Sequence, residues 1–308
     1  MGKGRWLAVL AGVLLLGGAG PRAREMEELR LVTALALDGG EEIRATAVTG
    51  VRASEDEEPE LLTGAGETMA QACAALRESS ARRAYLGQTE QLLLGEGMDP
   101  LQAMELVARH RELRLDTLLY IVRGNAGEGL AGSAGRMAAE TGGQDFRGRT
   151  VGEILPRLAE GEYALAPALK PGEDGGLVPG GWAVLGREGV AGWLEEDAAV
   201  GAQLLLGLET GKTITIEGGT VELTGVTLRV QGEKLRCRLE GRVLQGTPSA
   251  EALGAWGEEK LAAALAEGKD CWGLDRLGAA LEPWQWEARR GLDVSKLRIE
   301  GKGRLREG

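Results

Sequence analysis

Three glycines at the spacing of a nucleotide-binding fingerprint are the first candidates for chemistry. Gly127, Gly129 and Gly132 follow an apolar run, Thr117 to Val122, and open a predicted helix. In that context backbone N–H groups bind the pyrophosphate of a dinucleotide. With 50 Gly in 308 residues, however, about one such match is expected by chance. No acidic ribose ligand stands at the end of a following strand, so we expect no nucleotide here.

A second glycine motif, Gly211-Lys212-Thr213, is similar to the end of a phosphate-binding P-loop. That loop needs a glycine five residues before Gly211, where this chain has Leu206. The β-branched residues from Thr213 to Ile216 predict a strand, whereas P-loop amides act at the start of a helix. The lysine is therefore not assigned to a phosphate.

Side chains suited to acid–base chemistry are few. His110, the only histidine, lies near the end of a helix predicted to begin after Asp99. An imidazole there interacts favourably with the helix C-terminus, and we favour this structural role over catalysis. No Gly-x-Ser-x-Gly motif supplies a nucleophile. The acidic run Glu195 to Asp197 lies in the first turn of a predicted helix, where we interpret it as solvated capping charge.

The cysteines have neither the number nor the spacing of a disulfide framework. Cys73, Cys237 and Cys271 lack C-x-x-C spacing and are odd in number, so we interpret them as small buried side chains. A single histidine excludes a metal site built on several histidines. The sequence therefore predicts a protein that is not an enzyme, with no catalytic residue, no cofactor and no metal ligand.

The charge balance limits the class of partner. The chain has 36 Lys and Arg against 47 Asp and Glu, a net charge of -11. This balance predicts no general basic surface for a phosphate backbone, and nucleic acid is not expected as a partner.

Tryptophan is the unusual aromatic residue, with seven Trp beside three Tyr and one Phe. Three of the seven fall on core-facing patterns: Trp182, Trp193 and Trp256. Three others cluster near the C-terminus, namely Trp272, Trp284 and Trp286, and form either a satellite core or an interaction patch. These last three are the candidate interaction residues of the sequence.

The start of the chain has the order of an export segment. Lys3 and Arg5 precede an apolar run from Trp6 to Leu16, followed by small residues and Pro21. From Trp6 to Ala19 the stretch spans about 21 Å as a helix, short of the roughly 30 Å of bilayer hydrocarbon. The leading positive charges place the rest of the chain outside the cytoplasm. We predict a signal or anchor segment over residues 1–23 and an exported ectodomain after it.

Periodicity predicts an α+β fold with two domains. Strand-like and helix-like segments alternate from Leu31 to about Leu206, as in a mixed sheet with packed helices. From Thr213 the chain turns to short β-rich runs separated by Gly, followed by a helix from Ser249. We expect two mixed or antiparallel sheets with packed helices, in domains of residues 24–206 and 207–308.

Taken in order, several segments resemble the Ger(x)C family, the C subunits of bacterial spore germinant receptors. The segments that carry the resemblance are Glu25 to Leu29 with Leu31 to Leu35 and Asp38, Leu86 to Glu96, Arg111 to Arg114 with Asp116, Gly181 to Val184, Gly192 to Leu194, Lys269-Asp270, Gly273-Leu274, Trp284 and Trp286. They span nearly the whole chain.

The resemblance implies a non-enzymatic ectodomain at the outer face of the spore inner membrane. Such a subunit lies at the membrane surface and assembles with two integral-membrane subunits, of A and B type, that sense nutrients. Gly20 stands where the family carries its lipid-modified cysteine, so this chain has no lipidation residue there. The alternative is an extracytoplasmic small-molecule binding protein with a ligand cleft between its domains.

Overall fold

Two β-sheets and six α-helices make up the residues that the computed structural model describes, 29–49, 60–137, 149–206, 211–231, 233–267 and 297–306. The first sheet contains β1 (Leu29–Asp38), β2 (Ile43–Thr49), β3 (Leu61–Gly66), β4 (Arg83–Tyr85), β5 (Gln91–Gly95), β6 (Leu118–Val122), β7 (Arg149–Thr150), β8 (Ala164–Pro171), β9 (Leu177–Gly186) and β10 (Gly189–Leu194). The second contains β11 (Thr213–Ile216), β12 (Gly219–Gln231), β13 (Lys234–Gly246) and β14 (Arg298–Arg306). The helices are α1 (Met69–Glu78), α2 (Pro100–Arg109), α3 (Ala126–Met137), α4 (Val151–Ala159), α5 (Glu196–Leu206) and α6 (Ala250–Glu267).

The first sheet has a parallel centre and antiparallel edges. Its order is β10-β9-β8-β6-β5-β1-β2-β3, with β4 beside β1 and β7 beside β6. Strands β1, β5, β6 and β8 run parallel to one another. The continuous apolar runs of β5 and β6 fit this position because both faces of these strands are covered. Their carboxyl ends consequently meet at one edge of the sheet.

Helices cover both faces of this sheet. On one face the apolar sides of α1, α2 and α4 pack on β1, β5 and β6 around residues such as Leu35, Leu92 and Ile121. On the other face α3 packs through Ala126 and Leu130. The i, i+4, i+7 spacing of Met69, Cys73 and Leu76 predicts one buried face of a helix, and this is confirmed, since all three are buried in α1. The predicted cap of α2 is confirmed as well, because the Gln102 N–H donates to Asp99 Oδ1 at 3.0 Å.

The second sheet has the order β11-β12-β13-β14, with β14 parallel to β13 and the other pairs antiparallel. Helix α6 covers one face through Leu253, Leu261 and Leu265. Helix α5 packs on α6 and continues the same apolar core to Trp182 and Leu194 of the first sheet. Within the described residues, one apolar core around α5 and α6 therefore connects the two sheets.

The α+β class predicted from the sequence is confirmed by this architecture, although two local expectations were wrong. The residues from Tyr85 to Leu94 predict one strand, but the structure divides it, because a 3-10 turn at Leu86–Gln88 separates β4 from β5. The Pro and Gly residues from Pro171 to Gly180 predict a loop over the whole segment, but the loop is confined to residues 172–176, with Pro171 paired opposite Leu177. Pro179 is tolerated within β9 because the pairing of β9 with β10 begins only at Trp182.

Among the described residues, no helix has both the length and the apolar character needed to cross a bilayer. The predicted export segment, residues 1–23, lies outside them, and so do Gly20, Cys271 and the three C-terminal tryptophans Trp272, Trp284 and Trp286.

Candidate functional site

The carboxyl edge of the parallel strands is the place where an α/β sheet normally binds a ligand. Here β1 ends at Asp38, β5 at Gly95 and β6 at Val122, and α3 begins beside them at Ala126. The glycine motif of the sequence therefore lies at the start of a helix that follows a strand, as its spacing predicted.

A carboxylate of the chain itself occupies the N-terminus of α3. The Ala126 N–H donates to Asp38 Oδ1 at 2.7 Å, and the Gly127 N–H donates to Oδ2 at 2.8 Å. Asp38 is buried, with 7% of its surface exposed. Burial raises the pKa of this carboxyl, against the lowering effect of the two N–H donors. The amides that would bind a phosphate thus already bind Asp38.

The three motif glycines serve close packing. A Cβ on Gly127 would lie 2.6 Å from Thr46 Oγ1, and one on Gly132 would lie 2.1 Å from the Gly175 carbonyl oxygen. A Cβ on Gly129 would meet Leu177 Cδ2 at 2.4 Å. The contact at Gly132 is with backbone, so no side chain fits there, whereas the contacts at Gly127 and Gly129 are with side chains packed closely against α3.

The second glycine motif has no P-loop geometry. The Gly211 N–H donates to the Leu223 carbonyl at 2.7 Å, and Thr213 begins strand β11. Lys212 Nζ donates to Gln203 Oε1 at 2.6 Å. The backbone of this segment is therefore engaged in the second sheet.

His110 ends helix α2 and belongs to a polar cluster with Arg77 and Glu112. The Glu112 carboxylate accepts from Arg77 Nη2 at 2.9 Å and from the Leu86 N–H at 3.1 Å. It also pairs with Arg83 at 3.4 Å. His110 Nδ1 accepts from the Glu112 N–H at 3.2 Å. The cluster links α1, β4 and the end of α2, which supports the structural role expected for the histidine.

His110 gives the folded state a pH dependence of defined sign. Burial and the Arg77 cation lower the pKa of His110, against the opposing effect of Glu112. His110 therefore binds a proton more tightly in the unfolded chain than in the folded chain. Its contribution to the free energy of unfolding is complete above about pH 6.5 and is lost as the pH falls. In His110→Asn the amide oxygen can replace Nδ1 as acceptor without titrating.

We expect wild type to lose more free energy of unfolding than His110→Asn when the pH falls from about 7.5 to 5. Urea unfolding of both proteins across that range measures the difference. Parallel pH profiles would contradict the assignment.

The acidic run before α5 is engaged in ion pairs. Glu195 pairs with Arg123, whose guanidinium lies 4.5 Å from the centroid of the Trp193 ring. Asp197 pairs with Lys260 of α6 at 2.7 Å. Both carboxylates are about half exposed, at 46% and 49% of the side chain, so they are solvated as expected and in addition pair with the first sheet and with α6.

Two of the three thiols are poor nucleophiles. Burial raises the pKa of Cys73 to about 11 and that of Cys237 to about 12. Since the thiolate is the reactive form, neither supplies a nucleophile at neutral pH. Within the described ranges, no group of three or more His, Cys, Asp and Glu side chains is placed to hold a metal ion.

One charged surface was missed in the sequence. The outward side chains of β12, β13 and β14 form what we call the basic face, whose charged members are Glu222, Arg229, Lys234, Arg236, Arg238, Glu240, Arg242, Arg298, Glu300, Lys302, Arg304 and Arg306. It holds nine of the 36 basic residues of the chain and three of its 47 acidic residues. The expectation of no general basic surface did not anticipate this local face, because net charge averages over the whole chain.

Two comparisons find proteins that are similar to this chain. A family model described as the spore germination protein N-terminal domain matches residues 22–133. A solved structure described as the crystal structure of the GerBC protein is similar with a TM-score of 0.51 and 14% sequence identity, covering 88% of this chain and 96% of that one. At that identity the likeness shows a common fold. No curated protein sequence matches the chain.

Proposed function

We propose that this chain, whose residues 22–133 match the family of spore germination protein N-terminal domains, is a Ger(x)C-type, non-enzymatic ectodomain subunit of a nutrient germinant receptor. It acts by assembling with the two integral-membrane subunits, of A and B type, of such a receptor.

The observation that carries the proposal is the family match over residues 22–133. This segment contains β1 to β6, α1 and α2, and so includes most of the parallel centre of the first sheet. The common fold extends the likeness over 88% of the chain.

The use of the polar groups supports a role in contact instead of catalysis. Asp38 caps α3, Glu112 and His110 join α1 to α2, and the charges before α5 are paired with basic side chains. Groups already engaged in hydrogen bonds and ion pairs that hold the fold are poor candidates for acid–base chemistry, which requires a group within reach of a substrate.

We place the subunit at the outer face of the spore inner membrane. The export segment over residues 1–23 supports this location, and it leaves two routes of attachment without a lipid at Gly20. Either the apolar segment is retained uncleaved, or the membrane subunits hold the ectodomain. We further propose a boundary between two domains near residue 206 and a partner contact at Trp272, Trp284 and Trp286.

Deletion of the gene in its own spore-forming host tests the receptor role. We expect spores of the deletion strain to lose the germination response to at least one nutrient, and a copy of the gene at another locus to restore it. Loss of optical density after nutrient addition measures the response. Wild-type germination in every nutrient that triggers the parent strain would contradict the proposal.

A further inference from the structure

The basic face is a regular array of positive charge on an otherwise acidic chain. Alternate residues of β13 and β14 point outward, so Arg236, Arg238, Lys302, Arg304 and Arg306 are all exposed on the same side. The opposite side of the same strands is apolar and packs on α6. The array is thus a full face of the second sheet and not a chance cluster of loop residues.

Strand register places like charges beside one another. Arg229 is opposite Arg236, Lys234 is opposite Arg298, Arg238 is opposite Lys302, and Arg242 is opposite Arg306. Like charges in directly opposed positions destabilise a sheet. Four such pairs occur here, although the chain has 47 carboxylates that could pair with these cations. This indicates that the positive charge interacts with a partner outside the sheet.

The face has few carboxylates of its own. Glu222 pairs with Arg242, Glu240 with Arg306, and Glu300 with both Lys234 and Arg236. Among the described residues, no carboxylate pairs with the remaining five cations: Arg229, Arg238, Arg298, Lys302 and Arg304. A shallow depression between Arg229, Arg238 and Lys302 brings three of these five together.

We propose that the basic face docks on the anionic phospholipid headgroups of a bilayer. Strands about 4.8 Å apart, with outward residues about 6.8 Å apart along each strand, present the cations as a broad grid. A lipid surface offers many anions in one plane at once and attracts each nearby Lys or Arg. The acidic remainder of the chain would be repelled by the same surface, and this fixes which side of the molecule faces the membrane.

Other anionic partners fit this face less well. A sheet that binds single-stranded RNA or DNA stacks bases on outward aromatic rings, and strands β11 to β14 contain no aromatic residue. Duplex DNA is read by a helix or a narrow ribbon inserted in a groove. The core of a protein interface is depleted of charged residues and enriched in aromatic ones, whereas this face has twelve charged side chains and its strands contain no aromatic residue. Leu244, at the end of β13, is an exposed large apolar residue, 49% exposed.

Binding of the full chain to vesicles tests the proposal independently of any receptor subunit. The probe is vesicles of phosphatidylcholine with about 30% phosphatidylglycerol, compared with vesicles of phosphatidylcholine alone. The test variant is Lys302→Thr/Arg304→Thr/Arg306→Thr. Its matched control, Arg82→Thr/Arg111→Thr/Arg187→Thr, removes three exposed cations from the first sheet and its loops. Every protein retains the apolar N-terminal segment, whose contribution cancels in the comparison.

We expect wild type and the control to prefer the anionic vesicles, and the test variant to bind them about a hundredfold more weakly. The preference should fall as salt is raised, because exposed charges are screened. Circular dichroism establishes that each variant is folded.

Equal loss in the test and control variants would overturn the proposal, as would equal binding of wild type to both kinds of vesicle. Tighter binding to duplex DNA than to anionic vesicles at the same salt would assign the face to nucleic acid instead. Charge-dependent self-association without vesicle binding would assign it to a second copy of the chain.

Discussion

Replacing Asp38 by alanine is expected to lower the free energy of unfolding by about 2–4 kcal/mol. The carboxylate accepts from the Ala126 and Gly127 N–H groups, 88 and 89 residues away in the chain, and both bonds are buried. Without it two buried donors lose their acceptor, and each unsatisfied donor costs about 1–3 kcal/mol. Urea unfolding with linear extrapolation measures the loss.

Asp99 provides the matched control for Asp38. It also accepts at the start of a helix, from the Gln102 N–H at 3.0 Å, but this bond is exposed to solvent. Asp99→Ala should therefore cost only about 1 kcal/mol, the usual cost of losing an N-cap. Equal losses for the two variants would show that Asp38 is an ordinary cap and that the carboxyl edge of the sheet tolerates free amides.

Replacing Gly201 by valine is expected to lower the free energy of unfolding by about 3 kcal/mol. Gly201 lies in α5 where this helix crosses α6, and a Cβ there would lie 2.0 Å from the Lys260 carbonyl oxygen. The contact is with backbone, so it cannot be relieved by a change of side-chain rotamer. The two helices would have to separate and open the core that joins the two sheets.

Gly40→Val is the control for this substitution. Gly40 lies in the exposed turn between β1 and β2, and the nearest atom to an added Cβ is the Glu42 carbonyl oxygen at 3.6 Å. Its effect should stay within about 0.5 kcal/mol, as for most surface substitutions. If the two glycine variants unfold at the same urea concentration, the close approach of α5 and α6 does not contribute to stability.

Local pattern was sufficient for most elements and insufficient for their pairing. The apolar runs of β5 and β6 and the cap of α2 at Asp99 follow from neighbouring residues alone. The split between β4 and β5 at Leu86 does not, because the Leu86 N–H is bound by Glu112, 26 residues further along. Propensity within a short window contains no information about such a partner.

The candidate sites likewise depend in part on neighbouring residues and in part on contacts between residues far apart in the chain. The glycine motif was correctly placed at the start of a helix that follows a strand, but the acceptor of the first helix amides is Asp38, which only the folded sheet brings to α3. The alternation from Lys234 through Arg236 to Arg238 is visible in the sequence. The pairing of β13 with β14 is not visible there, because the residues of β14 opposite Lys234, Arg236 and Arg238 lie 64 positions later in the chain.

Purification of the tagged chain from detergent-solubilised inner membranes of dormant spores tests the proposed role in receptor assembly most directly. The account predicts that two integral-membrane proteins accompany it in amounts comparable to its own, without a cross-linker. Recovery of the chain alone from those extracts, or its presence only in the soluble fraction of the spore core, would contradict the account.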